Sequence, residues 1–166
     1  MLNKLKVALL GASAVVAFAS TATQAQAATQ TADARVTIIP AVQLAQNDVL
    51  DFGVIASSST AGTVELPIGS NSRTCSAGVT CIGTALRGRF TVTGATNGYT
   101  VAITVPATAT LTSGANTMTA ALVPSITGFT SVGAAEVFFV GGTLVVGANQ
   151  AAGLYTGTYN VSANYQ

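Results

Sequence analysis

The alternation of apolar and polar positions is cleanest at the end of the chain. From Tyr155 to Tyr165 one set reads Tyr155, Gly157, Tyr159, Val161, Ala163, Tyr165, and the interleaved set reads Thr156, Thr158, Asn160, Ser162, Asn164. Side chains of a strand point alternately to the two faces of a sheet, so this spacing predicts a strand with one apolar and one polar face. A helix would scatter the tyrosines around its axis. The same period recurs upstream. Phe90 and Val92 alternate with Arg89, Thr91 and Thr93, while Tyr99, Val101, Ile103 and Val105 alternate with Thr100, Ala102 and Thr104. Asn97-Gly98 between them tolerates positive φ, so the two strands are expected to pair as an antiparallel hairpin.

Further strands are expected over Ala34 to Leu44, Val49 to Ile55, Thr63 to Ile68 and Thr117 to Val123, and as a pair over Glu136 to Val140 and Thr143 to Val146. Pro40 cannot donate to a ladder, which puts the first of these at an edge or makes it change sheets there. Gly141-Gly142 reads as a tight turn or a bulge between the last two. Many short strands separated by Gly, Asn and Ser, with no helical period after the N-terminal region, predict one all-β domain, an antiparallel immunoglobulin-like β-sandwich.

Composition adds an export signal. Lys4 and Lys6, the only lysines, precede an apolar run from Val7 to Ala19, which is short for a transmembrane helix of about 20 residues. Ala25-Gln26-Ala27 supplies the small-x-small pattern that signal peptidase reads, so residues 1–27 are expected to be a signal peptide, with cleavage after Ala22 as the alternative. The expected division is a signal over 1–27, an N-terminal extension over 28–35 and the sandwich over 36–166. Export through the inner membrane is what such a signal predicts.

Beyond Ala27 the charges are Arg35, Arg73, Arg87 and Arg89 against Asp33, Asp48, Asp51, Glu65 and Glu136, with no lysine or histidine. Such a surface does not neutralise a phosphate backbone, which argues against a nucleic-acid partner. It also lacks the basic stripe of a peripheral membrane helix. In an exported chain Cys75 and Cys81 are expected to form a disulfide, worth roughly 2.4 kcal/mol in the chain-entropy model. The other reading, a metal or redox pair, lacks further ligands. Without histidine, and with both thiols oxidised, the usual general base and nucleophile are missing. Asp48 and Asp51 stand three apart on an expected strand and point to opposite faces, a poor acid/base pair. Asp51-Phe52-Gly53 matches a kinase triplet by chance, since no other kinase motif is present. Asn160-Val161-Ser162 fits a glycosylation triplet but falls within an expected strand. These readings predict a non-enzymatic protein with no cofactor and no metal.

Leu50-Asp51-Phe52-Gly53, Phe90-Thr91-Val92-Thr93-Gly94 with Tyr99 to Pro106, Val140-Gly141-Gly142-Thr143-Leu144 and Gly153-Leu154-Tyr155-Thr156-Gly157-Thr158-Tyr159 resemble, in order and spacing, an uncharacterised family of exported bacterial domains. The resemblance runs from about Val36 to Tyr165. The alternating last strand, the penultimate Tyr165 and Gly153 fourteenth from the end also resemble the C-terminal motif of chaperone-usher pilus subunits, including the spore-coat-U-like group. That resemblance implies a groove, left by a missing immunoglobulin strand and lined by Gly153, Tyr155, Tyr159, Val161, Ala163 and Tyr165. It also implies like subunits as partners, with a periplasmic chaperone and an outer-membrane usher, and passage through the periplasm to the cell surface or an extracellular fibre.

A donor strand is then expected near the N-terminus, where Ala28, Gln30, Ala32, Ala34, Val36 and Ile38 alternate with Thr29, Thr31, Asp33, Arg35 and Thr37. The competing reading of residues 28–35 is a plain disordered terminus. The function expected is a pilin-like or cell-surface subunit that assembles by strand addition in adhesion or biofilm. The alternatives are a self-contained secreted sandwich that binds carbohydrate or protein, and a small outer-membrane barrel, against which the scarcity of aromatic residues argues.

Overall fold

The structure, a computed structural model, describes residues 26–166. The expected signal peptide therefore lies outside the described residues except for Gln26 and Ala27. The chain divides into two units, Met1–Val36 and Thr37–Gln166. In the first, residues 26–36 carry no strand and are exposed. The second holds every strand and every core residue, so it carries what it needs to fold by itself.

Among the described residues there is no helix. The strands are β1 (Gln43–Asp48), β2 (Val54–Ser57), β3 (Gly62–Leu66), β4 (Thr74–Cys75), β5 (Val79–Ile82), β6 (Gly88–Thr93), β7 (Thr100–Thr104), β8 (Thr108–Ser113), β9 (Asn116–Pro124), β10 (Gly128–Thr130), β11 (Glu136–Val146) and β12 (Ser162–Tyr165). Every pairing is antiparallel. A seven-stranded sheet runs β1-β6-β11-β3-β4, with β9 on β11 and β8 on β9; a three-stranded sheet runs β10-β7-β12; β2 and β5 form a separate ribbon. The fold is an all-β sandwich of open sheets rather than one closed ring. Its core joins Phe90 and Val92 of β6, Phe138, Val140, Leu144 and Val146 of β11, and Val64 and Leu66 of β3 to Ile103 of β7.

The central strand departs from expectation. Glu136 to Val146 is one continuous strand, and Gly141-Gly142 lies inside it without turning. Thr143 pairs with Ala121 of β9 and Glu65 of β3, while Val140 pairs with Pro124 of β9 and Gly88 of β6. β6 and β3 therefore follow one another along one edge of β11, with β9 along the other. The glycines sit where β11 passes from one neighbour to the next. A Cβ on Gly141 would meet the carbonyl oxygen of Leu66, and one on Gly142 that of Ala121. Close backbone approach, not a turn, explains the pair.

The expected hairpin between Phe90 and Val105 does not form. β6 pairs with β1 and β11, whereas β7 pairs with β10 and β12 in the other sheet. Both strands have one apolar face, and lying in opposite layers lets Phe90 and Val92 share the core with Ile103. Gly94 and Gly98, at φ 74° and 83°, bend the connection between layers. Gly98 N donates to Ser131 O (2.8 Å), and the buried Ser131 hydroxyl donates to Ala95 O (3.0 Å).

Other boundaries move as well. The first strand begins at Gln43, not Ala34, because Pro40 interrupts the ladder and Val36 and Ile38 bury nothing. Val49 to Ile55 is broken by Gly53 at φ 71°, leaving Val54–Ser57 as the strand and a lone bridge from Asp51 to Leu86. The last strand shortens to Ser162–Tyr165.

Candidate functional site

The C-terminal segment keeps its predicted faces though most of it lacks a ladder. Tyr155, Tyr159, Val161, Ala163 and Tyr165 are half-buried, and each residue between Tyr159 and Gln166 that interleaves with them is exposed. Tyr159, Val161 and Ala163 pack against the core. The backbone is paired at two places only. Thr156 exchanges both hydrogen bonds with Thr112 of β8 (2.8 and 3.0 Å), and β12 pairs with β7 from Ser162↔Thr104 to Tyr165↔Val101. Gly157 lies tightly on β8, where a Cβ would meet the Thr110 carbonyl oxygen.

The opposite edge of the segment runs toward β1, with no ladder between β12 and β1 among the described residues. Tyr165 closes that gap at its end. Its hydroxyl donates to Pro40 O (3.2 Å) and accepts from Thr96 N (2.8 Å), and its ring meets Tyr99 edge-on at 5.9 Å between centroids.

At the other end the gap opens into a cleft of about 440 Å³. Its floor is the inner face of the large sheet, Leu111, Met118, Leu144 and Val146; residues 50–57 form one wall and residues 150–155 the other. Over this part of the large sheet the lining comes from β2 with residues 50–53 before it and from the segment 150–155, and none of it from the three-stranded sheet. Gly153 and Tyr155, both expected in the groove, line the cleft; Tyr159, Val161, Ala163 and Tyr165 face the core and its closed end. Tyr155 is fixed by Gln150, whose Nε2 donates to the phenol oxygen (2.8 Å), while the phenol donates to Ala151 O (2.9 Å).

Residues 50–57 are held from outside. Arg73 has no carboxylate partner among the described residues; its guanidinium donates to the carbonyls of Phe52, Val54 (3.3 Å), Ile82 (2.6 Å) and Gly83 (3.3 Å). Cys75 and Cys81 are joined as a disulfide, their Cα atoms 6.3 Å apart. None of Leu111, Met118, Gln150 or Arg73 stands out in the sequence. Leu111 and Met118 lie on the β8–β9 hairpin, whose alternation is weakened by alanines, and a single arginine in a Ser/Gly-rich stretch carries no motif.

Tyr159 is the one group here with a shifted titration. Its ring meets Phe90 edge-on at 6.3 Å, and its buried hydroxyl has no hydrogen-bond partner among the described residues. Burial raises its pKa above the ordinary value near 10. The folded state therefore keeps a proton that the unfolded chain releases, so this group costs stability as pH rises above about 10 and has no effect on pH dependence below that. Tyr159→Phe is expected to leave stability at neutral pH equal or higher by about 1 kcal/mol and to flatten the alkaline fall. Urea midpoints at pH 7 and above pH 10 check this; a variant that loses stability at neutral pH contradicts it.

No curated protein and no solved structure matches the chain. One family model does, that of a domain of unknown function, DUF4402, over residues 42–165, from just before β1 to the end of β12. Since this match spans the whole sandwich, the chain belongs to the DUF4402 family.

Proposed function

We propose that this domain is a structural, non-enzymatic subunit that takes a β-strand from another chain along its C-terminal segment, in the manner of pilus subunits, and works at the cell surface in adhesion or a biofilm matrix. The observation that carries the reading is the conjunction of an unladdered edge beside residues 157–165 with the apolar cleft at Gly153 and Tyr155. An open edge offers backbone donors and acceptors to an incoming strand, and the cleft takes every second side chain of it.

The donor we assign is the segment 28–38 of a second copy, with Ala28, Gln30, Ala32, Ala34, Val36 and Ile38 on its apolar face. A periplasmic chaperone and an outer-membrane usher would handle the subunit before assembly. Val36 and Ile38 are 85% and 89% exposed in their own chain. They are the only large apolar side chains on that face, and burying both gains roughly 3 to 6 kcal/mol gross. Association alone costs about 4 kcal/mol or more, so the ladder and the alanines must supply the surplus. The donor is therefore weak and assembly concentration-dependent.

Size-exclusion chromatography with light scattering tests this on two chains, one beginning at Ala28 and one at Ile39. The longer is expected to form multimers whose mass grows with concentration, and the shorter to stay monomeric. If both remain monomers throughout, the subunit reading fails.

A further inference from the structure

The cleft wall belongs to the ribbon β2–β5, which is not part of either large sheet. Its attachments can be traced one by one. Asp51 and Leu86 exchange backbone bonds of 2.7 and 2.8 Å at the start of the wall. At its far end the Ser57 hydroxyl donates to Gln150 O (3.0 Å) and Asn149 N donates to Ser58 O (2.7 Å), tying one wall to the other.

Between these points Ser76 N donates to Thr63 O (2.9 Å), the Ser76 hydroxyl accepts from Thr63 N (2.7 Å), and Ile55 and Val79 pack on the core; two further devices are close neighbours in sequence. Cys75 sits on β4 opposite Val64, a fully buried residue of β3, while Cys81 sits on β5 opposite Ile55, which lines the cleft. The bridge thus runs from the main sheet to the strand that backs the cleft wall. Arg73, two residues before Cys75, reaches past it to carbonyls on both sides of the ribbon, Phe52 and Val54 on one and Ile82 and Gly83 on the other. A planar guanidinium with several donors suits this use, since it satisfies several carbonyls at once and fixes their spacing.

We propose that the Cys75–Cys81 bridge and the Arg73 guanidinium act as one latch that fixes the cleft wall, so that the cleft takes a β-strand in the oxidised protein and not in the dithiol form. The second half of the statement rests on the strand-accepting reading above; the first half does not. Opening the latch is an ordinary exchange. Dithiothreitol gives two electrons and two protons to the sulfur–sulfur bond, which breaks to two thiols, and closes on itself to a cyclic disulfide. Freed from the bridge, the ribbon keeps its end attachments, the Ser76–Thr63 bonds, the packing of Ile55 and Val79 on the core, and Arg73, whose own position is no longer set by the bridge.

Two measurements on the chain beginning at Ile39, which holds every strand and has no segment 28–38 of its own to compete, oxidised and after dithiothreitol, test the proposal. The first is amide hydrogen exchange. Residues 54–57 and 79–82 are expected to lose protection by roughly tenfold or more on reduction, with β6, β9 and β11 unchanged. The second is fluorescence anisotropy of a labelled synthetic peptide of residues 28–38, expected to bind the oxidised form at least roughly tenfold more tightly.

Unchanged exchange in the ribbon overturns the latch, as does loss of protection throughout the fold, which would make the bridge a general brace. A loosened ribbon with equal peptide binding overturns the claim that the latch governs the cleft. A peptide that binds neither form sinks the strand-accepting reading instead, and exchange then decides the latch alone. Arg73→Gln, with the disulfide intact, is a second arm: it is expected to speed exchange at Gly53 to Ser57, and no change there removes Arg73 from the latch.

Discussion

Valine in place of Gly142 is expected to leave no cooperative thermal transition and no native sheet signal by circular dichroism. The residue is fully inside β11, paired with Leu66 on one side and Leu122 on the other. Its Cβ would overlap the carbonyl oxygen of Ala121, and that oxygen belongs to a strand whose position is set by β8 on its far side. Overpacking of a side chain against a side chain costs about 1 to 3 kcal/mol because rotamers can shift. Here the obstacle is backbone within a sheet, and the central strand must part from β9 to relieve it. A loss above about 5 kcal/mol would consume the stability of a domain at the low end of the usual range. Gly69→Ala is the control, since nothing lies within 4 Å of the added methyl and the backbone there is ordinary. A Gly142→Val protein that melts near the wild-type temperature would refute the close-approach account of the glycine pair.

Phe90→Ala is expected to cost about 3 to 5 kcal/mol, the usual range for a buried aromatic truncated to alanine. Phe90 stacks on Phe138 at 5.3 Å and receives Tyr159 edge-on at 6.3 Å. The first contact is within the large sheet, while the second ties that sheet to the C-terminal segment. The truncation should therefore do two things: shift the urea midpoint with the slope retained, and speed amide exchange between Ser162 and Tyr165, the laddered end of that segment. A double-mutant cycle with Tyr159→Phe isolates the hydroxyl from the ring; a cycle with Tyr159→Leu should return about 0.5 to 1.5 kcal/mol for the aromatic pair. A single-variant cost under about 1 kcal/mol would mean the core collapses into the space, contrary to its packing here.

What the sequence makes legible is the direction each side chain faces. The alternation at Tyr155 to Tyr165, at Arg89 to Thr93 and at Tyr99 to Val105 gives most of the inward residues, the exposed Tyr99 and Gly157 excepted, because a strand's two faces are a local property. Which strand lies beside which is not local. Asn97-Gly98 is a sound turn signal, and it does turn the chain, but between layers instead of within one. Gly141-Gly142 reads as a break because glycine usually marks one, and only the neighbouring carbonyls reveal why it sits in a strand. The cleft was half visible: Gly153 and Tyr155 are in the terminal motif, whereas Leu111, Met118 and Gln150 reach it through tertiary placement alone. β4, β5, β8 and β10 went unpredicted for a related reason, being short or built on alanine and threonine, whose alternation is faint.

The order in which the chain becomes available bears on how this sheet closes. β11 is the strand that β3, β6 and β9 share, and β3 and β6 meet it from far earlier in the sequence. A chain made from its N-terminus first has the β2–β5 ribbon, the Cys75–Cys81 loop and the β8–β9 hairpin within local reach. One edge each of β3, β6 and β9 has nothing to pair with until residues 136–146 emerge. Contacts of such long separation fold slowly, and unpaired edges are exposed to other chains while they wait. The last thirty or so residues therefore carry two duties, since they complete the large sheet through β11 and then set the second layer through β12. A chain halted before β11 would present three waiting edges at once, and its hazard would be aggregation rather than mere instability.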